Sequence, residues 1–204
     1  MLVLDHIAVL GETLDEAAVY VETALGLPLL PGGKHEHYAT HNRLLGLADG
    51  LYLEAIAIDP AAPPKSYPRW FGLDGFSGRP RLDKWICRVE DLDAALKRLP
   101  RAGLPVRLSR GTLEWSMAVP ADGQLWFDGL FPALIQWHSP VPPGTSMDTG
   151  GPELQRLRVC HPEADELRQI LQPVLADGRV SFERGDAPGL VADFVTKAGR
   201  RILQ

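Results

Sequence analysis

The chain opens on an apolar run, Leu2 to Val9, interrupted by Asp5 and His6, and this run predicts a strand. The apolar spacing then changes to that of a helix. Leu14, Ala17, Ala18, Val21 and Leu25 fall on one helical face. Thr13, with Glu16 three residues on, forms a capping-box pattern at its start, and Gly26 ends it. The same pattern returns in "LDKWICRVEDLDAALKRL", which begins at Leu82. Leu4-Asp5 aligns with Leu82-Asp83 and Leu14-Asp15 with Leu92-Asp93, without a gap. Asp91 caps the second helix, and Leu92, Ala95, Leu96 and Leu99 form its apolar face. An internal repeat of this kind outranks any single motif as a guide to the fold.

Each copy continues into strands. "HNRLLGLADGLYLEAIAID" reads as a hairpin turning at Ala48-Asp49-Gly50, with Leu51–Ile58 as its second strand. "LEWSMAVPADGQLWFDGLFPALIQWHS" reads as a strand, an Asp122-Gly123 turn and a final strand, Ala133–His138. The pattern therefore predicts two β-α-β-β-β modules, residues 1–60 and 82–140. The Pro/Gly-rich connector, residues 61–81, carries an aromatic anchor at Trp70-Phe71. After a loop, "SPVPPGTSMDTGGP", a third and shorter unit spans 152–204. It reads as a strand, a helix carrying Leu167, Ile170, Leu171 and Val174, and a hairpin at Lys197-Ala198-Gly199. The fold class is α+β: tandem βαβββ modules with curled mixed sheets and a third partial βαββ unit.

Composition narrows the function classes. The chain has 204 residues, 45% of them hydrophobic, enough for one core or two small ones sharing an interface. A net charge of −5 gives no electrostatic reason to expect nucleic acid or an anionic membrane. No apolar run reaches the roughly 20 residues that span a bilayer, and no signal-peptide pattern is present. Cys87 and Cys160 lie far apart in strand-like segments and read as free thiols. These features predict a soluble cytoplasmic protein, monomer or homodimer.

The order of the stretches "LDHIAV", "GGKH", "THNRLLGL", "LYLEAIA", "PRWFGLD", "RVEDLDAA" and "PALIQW" resembles the vicinal oxygen chelate superfamily, and within it the glyoxalase-like domain subfamily. That superfamily includes glyoxalase I, extradiol ring-cleaving dioxygenases and bleomycin-resistance proteins. The resemblance implies a cleft between curled sheets that binds a small organic molecule. It also implies a divalent metal (zinc, iron, nickel or manganese) held by one ligand on the first strand and one on the fourth strand of each module. In the first module these positions are His6 and Glu54. In the second, the gapless repeat sets Lys84 opposite His6, and the resemblance sets Gln136 in the remaining position, with His138 two residues on. An ammonium repels a cation, so a second arrangement stands beside the first: Glu54 paired with Lys84 in a metal-free pocket.

The remaining candidates concern the ligand. The histidine-rich stretch "GGKHEHYATHNR" lacks the spacing of a zinc-protease motif. His41, Asn42 and Arg43 either enter the pocket, with Arg43 gripping a carboxylate or phosphate, or satisfy backbone groups at a strand start; His37 reads as a bystander. Trp85 and Trp115 read as pocket wall or core, and Trp137 as core. Two functions follow. One is a glyoxalase-type lyase, isomerase or dioxygenase with Glu54 or Lys84 as catalytic group. The other is a metal-independent binding or resistance protein.

Overall fold

The computed structural model describes residues 1–147 and 150–204; Asp148 and Thr149, part of the loop expected before the third unit, lie outside the described residues. The first module runs β1 (Val3–Leu10), α1 (Leu14–Leu25), β2 (Leu30–His35), β3 (Thr40–Gly46) and β4 (Tyr52–Ile58). The Thr13 side chain accepts from the Glu16 amide, the Glu16 carboxylate accepts from the Thr13 amide, and Gly26 takes a left-handed conformation at φ 71° to stop the helix. Ala17, Ala18, Val21 and Leu25 form the buried stripe of α1. Burying a side chain the size of Val21 or Leu25 contributes about 2 kcal/mol.

The second module repeats the order: β5 (Arg81–Arg88), α2 (Leu92–Arg98), β6 (Leu104–Arg110), β7 (Leu113–Val119) and β8 (Ala133–Trp137). The eight strands form one sheet in the order β2-β3-β4-β1-β5-β8-β7-β6. Within each module the first and last strands are parallel, and β1 pairs with β5 antiparallel across the centre. The modules are thus joined within a single chain, and the sheet curls until its two ends approach, with Arg110 at the end of β6 against Gly33 on β2. Trp126 lies in the loop between β7 and β8. It is exposed there, under the Arg101 guanidinium at 3.8 Å.

The rest of the chain holds a short helix α3 (Pro143–Ser146), then β9 (Glu153–His161), α4 (Ala164–Leu171), β10 (Val180–Arg184), β11 (Gly189–Thr196) and β12 (Gly199–Leu203). Strand, helix and closing hairpin are present in the third unit, with the short strand β10 added between helix and hairpin. The four strands make a separate sheet, β10-β9-β11-β12, in which β9 is parallel to β10. That wiring differs from the two modules, whose first strand is parallel to the last. Main-chain bonds tie the unit to the modules: Leu2 N to Val174 O and Ala176 N to Leu2 O, both 2.8 Å, and Leu82 N to Gln204 O at 3.0 Å. Phe182 meets Trp85 edge-on at 6.2 Å between ring centres. Cys87 is buried and Cys160 half-buried, and both are free thiols. Among the described residues no helix is long and apolar enough to cross a membrane.

Candidate functional site

Strand pairing decides which side chains face inward. In the β1–β4 register His6 lies beside Tyr52 and Ala8 beside Glu54, so these four share the concave face. Ile7 and Leu53 point the other way, toward α1. In an unbroken strand Asp5 would join that outer set. The β1–β5 register slips between Leu4 and His6, leaving Asp5 as an extra residue, and this bulge turns neighbouring side chains toward each other. As a result Asp5 Oδ1 accepts from His6 Nδ1 at 2.7 Å, and Asp5 Oδ2 accepts from Trp137 Nε1 at 3.1 Å. With Nδ1 so engaged, Nε2 carries the free lone pair of the imidazole. It faces Glu54 Oε2 at 3.8 Å, a gap too long for a direct hydrogen bond. Tyr52 stacks on His6 with ring centres 4.2 Å apart. Burial, then the nearby Asp5 and Glu54 charges, pushes the Tyr52 phenol well above its usual range, so it stays neutral.

Asn42 holds the other carboxylate oxygen. Its Nδ2 donates to Glu54 Oε1 at 2.5 Å, while its Oδ1 accepts from the Gly33 amide at 2.7 Å and from Arg110 Nη1 at 3.3 Å. Arg110 Nη1 also donates to His35 Nε2 at 3.1 Å, and His35 Nδ1 meets the Thr40 hydroxyl at 3.0 Å. Burial, with the Arg110 charge next in weight, lowers the His35 pKa to about 3, so its imidazole is neutral. It therefore accepts from Arg110 and donates to Thr40. These groups open onto a cleft with an aromatic wall of Trp70, Phe71, Trp115 and Trp137. Phe71 sits at φ 63°, a conformation that favours glycine, in the 3-10 turn of residues 70–75 that supplies Trp70 and Phe71 to the wall.

The candidates from sequence divide by strand parity. His6, Glu54, Asn42 and Trp115 come together in the cleft. The neighbours of Asn42 on β3, His41 and Arg43, face outward. Arg43 pairs with Asp15 on the surface at 2.6 Å, and both residues border a separate groove beside the start of α1. His37 is exposed. Lys84, the fourth residue of β5 as His6 is of β1, pairs with Ala8 in the register, and its buried ammonium is held by the Asp83 side chain and main-chain carbonyl. It makes no ion pair with Glu54. Gln136 points away from the cleft: its Oε1 accepts from the Leu92 amide at 2.9 Å and helps cap α2. His138 lies outside with it, against Ser116 at 2.8 Å. Their strand neighbours Ile135 and Trp137 take the inward positions instead. Trp85 is buried on the far side of the sheet, donating to Leu130 O at 2.7 Å. Asp5, His35, Tyr52, Trp70 and Arg110 belong to the site as well. Arg110 follows no motif, and only its approach across the cleft reveals it.

Donor chemistry sets what these groups can hold. A catalytic zinc-type centre takes three protein donors. Here His6 Nε2 and Glu54 Oε2 are two, and the second module presents Met117, Ile135 and Trp137 to the cleft. Among the described residues no group of three His, Cys, Asp or Glu side chains could hold a metal ion. The residues present do not make up a three-donor centre of that kind.

The glyoxalase-like domain family pattern matches residues 4–175, both modules and the start of the third unit. The chain belongs to the glyoxalase-like domain family. With it the chain joins the vicinal oxygen chelate superfamily, whose curled-sheet fold the glyoxalase-like protein shares with several solved structures. A hypothetical protein from Staphylococcus aureus is 14% identical, covering 93% of this chain and 88% of that one, with a TM-score of 0.65. The Mn(II)-bound glyoxalase from Novosphingobium aromaticivorans is 11% identical over 98% of this chain and 79% of that one, with a TM-score of 0.53. Methylmalonyl-CoA epimerase from Mycobacterium tuberculosis is 22% identical over 66% of this chain and 85% of that one, with a TM-score of 0.42. At these identities the first two likenesses speak for the fold alone. No curated protein is significantly similar to the glyoxalase-like chain.

Proposed function

We propose that the cleft binds a small organic molecule and moves a proton on it with the protein's own side chains. The observation behind this reading is the Asp5–His6 pair facing Glu54 across 3.8 Å. One base is oriented by a carboxylate and a second by Asn42, and a ligand atom lying beside the pair is within reach of both. For a molecule with a C–H bond next to a carbonyl, one base takes the proton. The electron pair moves onto the carbonyl oxygen, and a solvent-equilibrated proton returns to carbon. This is isomerase-type chemistry. A ring-cleaving dioxygenase reaction needs a redox metal that the donor set of this cleft does not fit. A second reading, binding without chemistry, draws support from the aromatic wall.

Loss of the C3 protons of 2-oxobutanoate into D2O, followed by proton NMR, tests both readings. Exchange above the buffer rate is expected, unchanged after EDTA treatment and elemental analysis. His6→Ala and Glu54→Gln are each expected to slow it by about 10²-fold or more, the usual weight of a positioned acid or base. Exchange at the buffer rate would overturn the proton-transfer reading. So would exchange that needs stoichiometric metal, lost in His6→Ala.

A further inference from the structure

The cleft contains a cation that no anion contacts directly. Arg110 spends one nitrogen, Nη1, on His35 and Asn42, both uncharged groups. Among the described residues its Nε and Nη2 have no hydrogen-bond partner, and the guanidinium has no carboxylate within ion-pair distance. A half-buried guanidinium left with two free donor nitrogens has the fork geometry that grips a carboxylate by two parallel bonds. A second observation is independent of the first. Trp70 lines the same cleft and is 3% exposed, yet its Nε1 has no hydrogen-bond partner. A buried donor left unpaired costs free energy that a ligand oxygen would recover.

The chain has gone to some length to install this cation. At Gly33 a Cβ would lie 2.8 Å from Arg110 Cδ, and at Gly32 it would lie 2.1 Å from Asn42 Oδ1. The β2–β3 register slips between Pro31 and Lys34, so these two glycines form a bulge that lets the guanidinium and the carboxamide approach the main chain. Asn42 then stands between Arg110 and Glu54, with one carboxamide separating the cation from the base.

We propose that Arg110 anchors a carboxylate of the ligand, with Trp70 Nε1 donating to a second ligand oxygen, so that the substrates are small carboxylic acids. The aromatic wall covers the body of the molecule. Glu54 repels the carboxylate from the inner end of the cleft, which fixes the orientation. The carboxylate sits at Arg110, and the carbon one or two bonds from it sits against the edge of the His6–Glu54 pair. An acid with an oxo group beside that carbon matches both halves of the cleft. The assignment rests on the same cleft as the proposed proton transfer, but binding and exchange are read separately.

The test compares benzoate with benzyl alcohol, which has the same ring without the charge, by calorimetry and by quenching of tryptophan fluorescence. Benzoate is expected to bind the full chain at least 10-fold more tightly than benzyl alcohol. Arg110→Met is expected to remove that difference, Arg110→Lys to keep part of it, and Trp70→Phe to weaken benzoate several-fold. Gly33→Ala keeps the arginine but displaces its guanidinium, and should weaken benzoate even if Arg110→Met fails to fold. Equal binding of the two ligands to the wild type, no binding of benzoate, or unaltered benzoate affinity in Gly33→Ala would each overturn the assignment. Benzoate selectivity in a protein that shows no exchange sinks the proton-transfer reading alone. Exchange without benzoate selectivity sinks the anchor alone.

Discussion

His35 carries the sharpest consequence at the scale of single residues. Its pKa is about 3 in the folded protein against 6.5 for free histidine. Between those values the unfolded chain binds a proton that the folded chain does not, so stability falls as pH drops below about 6.5. One such proton gives a slope of about 1.4 kcal/mol per pH unit. Urea unfolding of the wild type and of His35→Gln between pH 7 and pH 4 should show a distinctly flatter profile in the variant. Asn42→Ala is expected to cost about 1–3 kcal/mol, because it strips partners from Glu54, the Gly33 amide and Arg110 at once. His6 and Glu54 were named in the sequence through the family resemblance, whereas Asn42 was named only together with His41 and Arg43, and the strand's alternation separates it from them. Asp5 was not, because a bulge reverses its parity. Arg110 was not either, because its partners lie 68 and 75 residues away.

Among the elements, the caps follow from the sequence and the final strand of the second module does not. Asp91 accepts from the Ala94 amide at 2.9 Å, as its place before an apolar helix implies. Gln136 was expected to face the cleft and instead supports that same helix from behind. Strand period alone cannot choose between the two faces of β8. The choice falls to packing, which puts Trp137 where its indole N–H meets Asp5. Gln136→Ala should therefore lower stability by about 1 kcal/mol, as loss of a cap does, and leave benzoate affinity unchanged. Thermal unfolding beside a benzoate titration checks both halves.

Taken as a whole molecule, the cleft is closed by two modules of one chain, so benzoate affinity should not change with protein concentration. Titrations across a 100-fold range of concentration, with sedimentation at each end, would reveal a site shared between copies if affinity rose with concentration. The third unit covers the outer side of the central strands. Truncating its contact to Trp85 with Phe182→Ala should cost about 3 kcal/mol while sparing the cleft. The sequence by itself determined the strand–helix repeat, the caps and the family resemblance. Those depend on local periodicity and on order along the chain, which a linear pattern records. Only the tertiary structure decided that Asp5 turns inward, that Trp137 rather than Gln136 faces the cleft, and that Arg110 reaches Asn42 and His35 from the opposite module. Those depend on bulges that shift strand parity and on the curl that brings the sheet's ends together, and neither leaves a periodic trace in the chain.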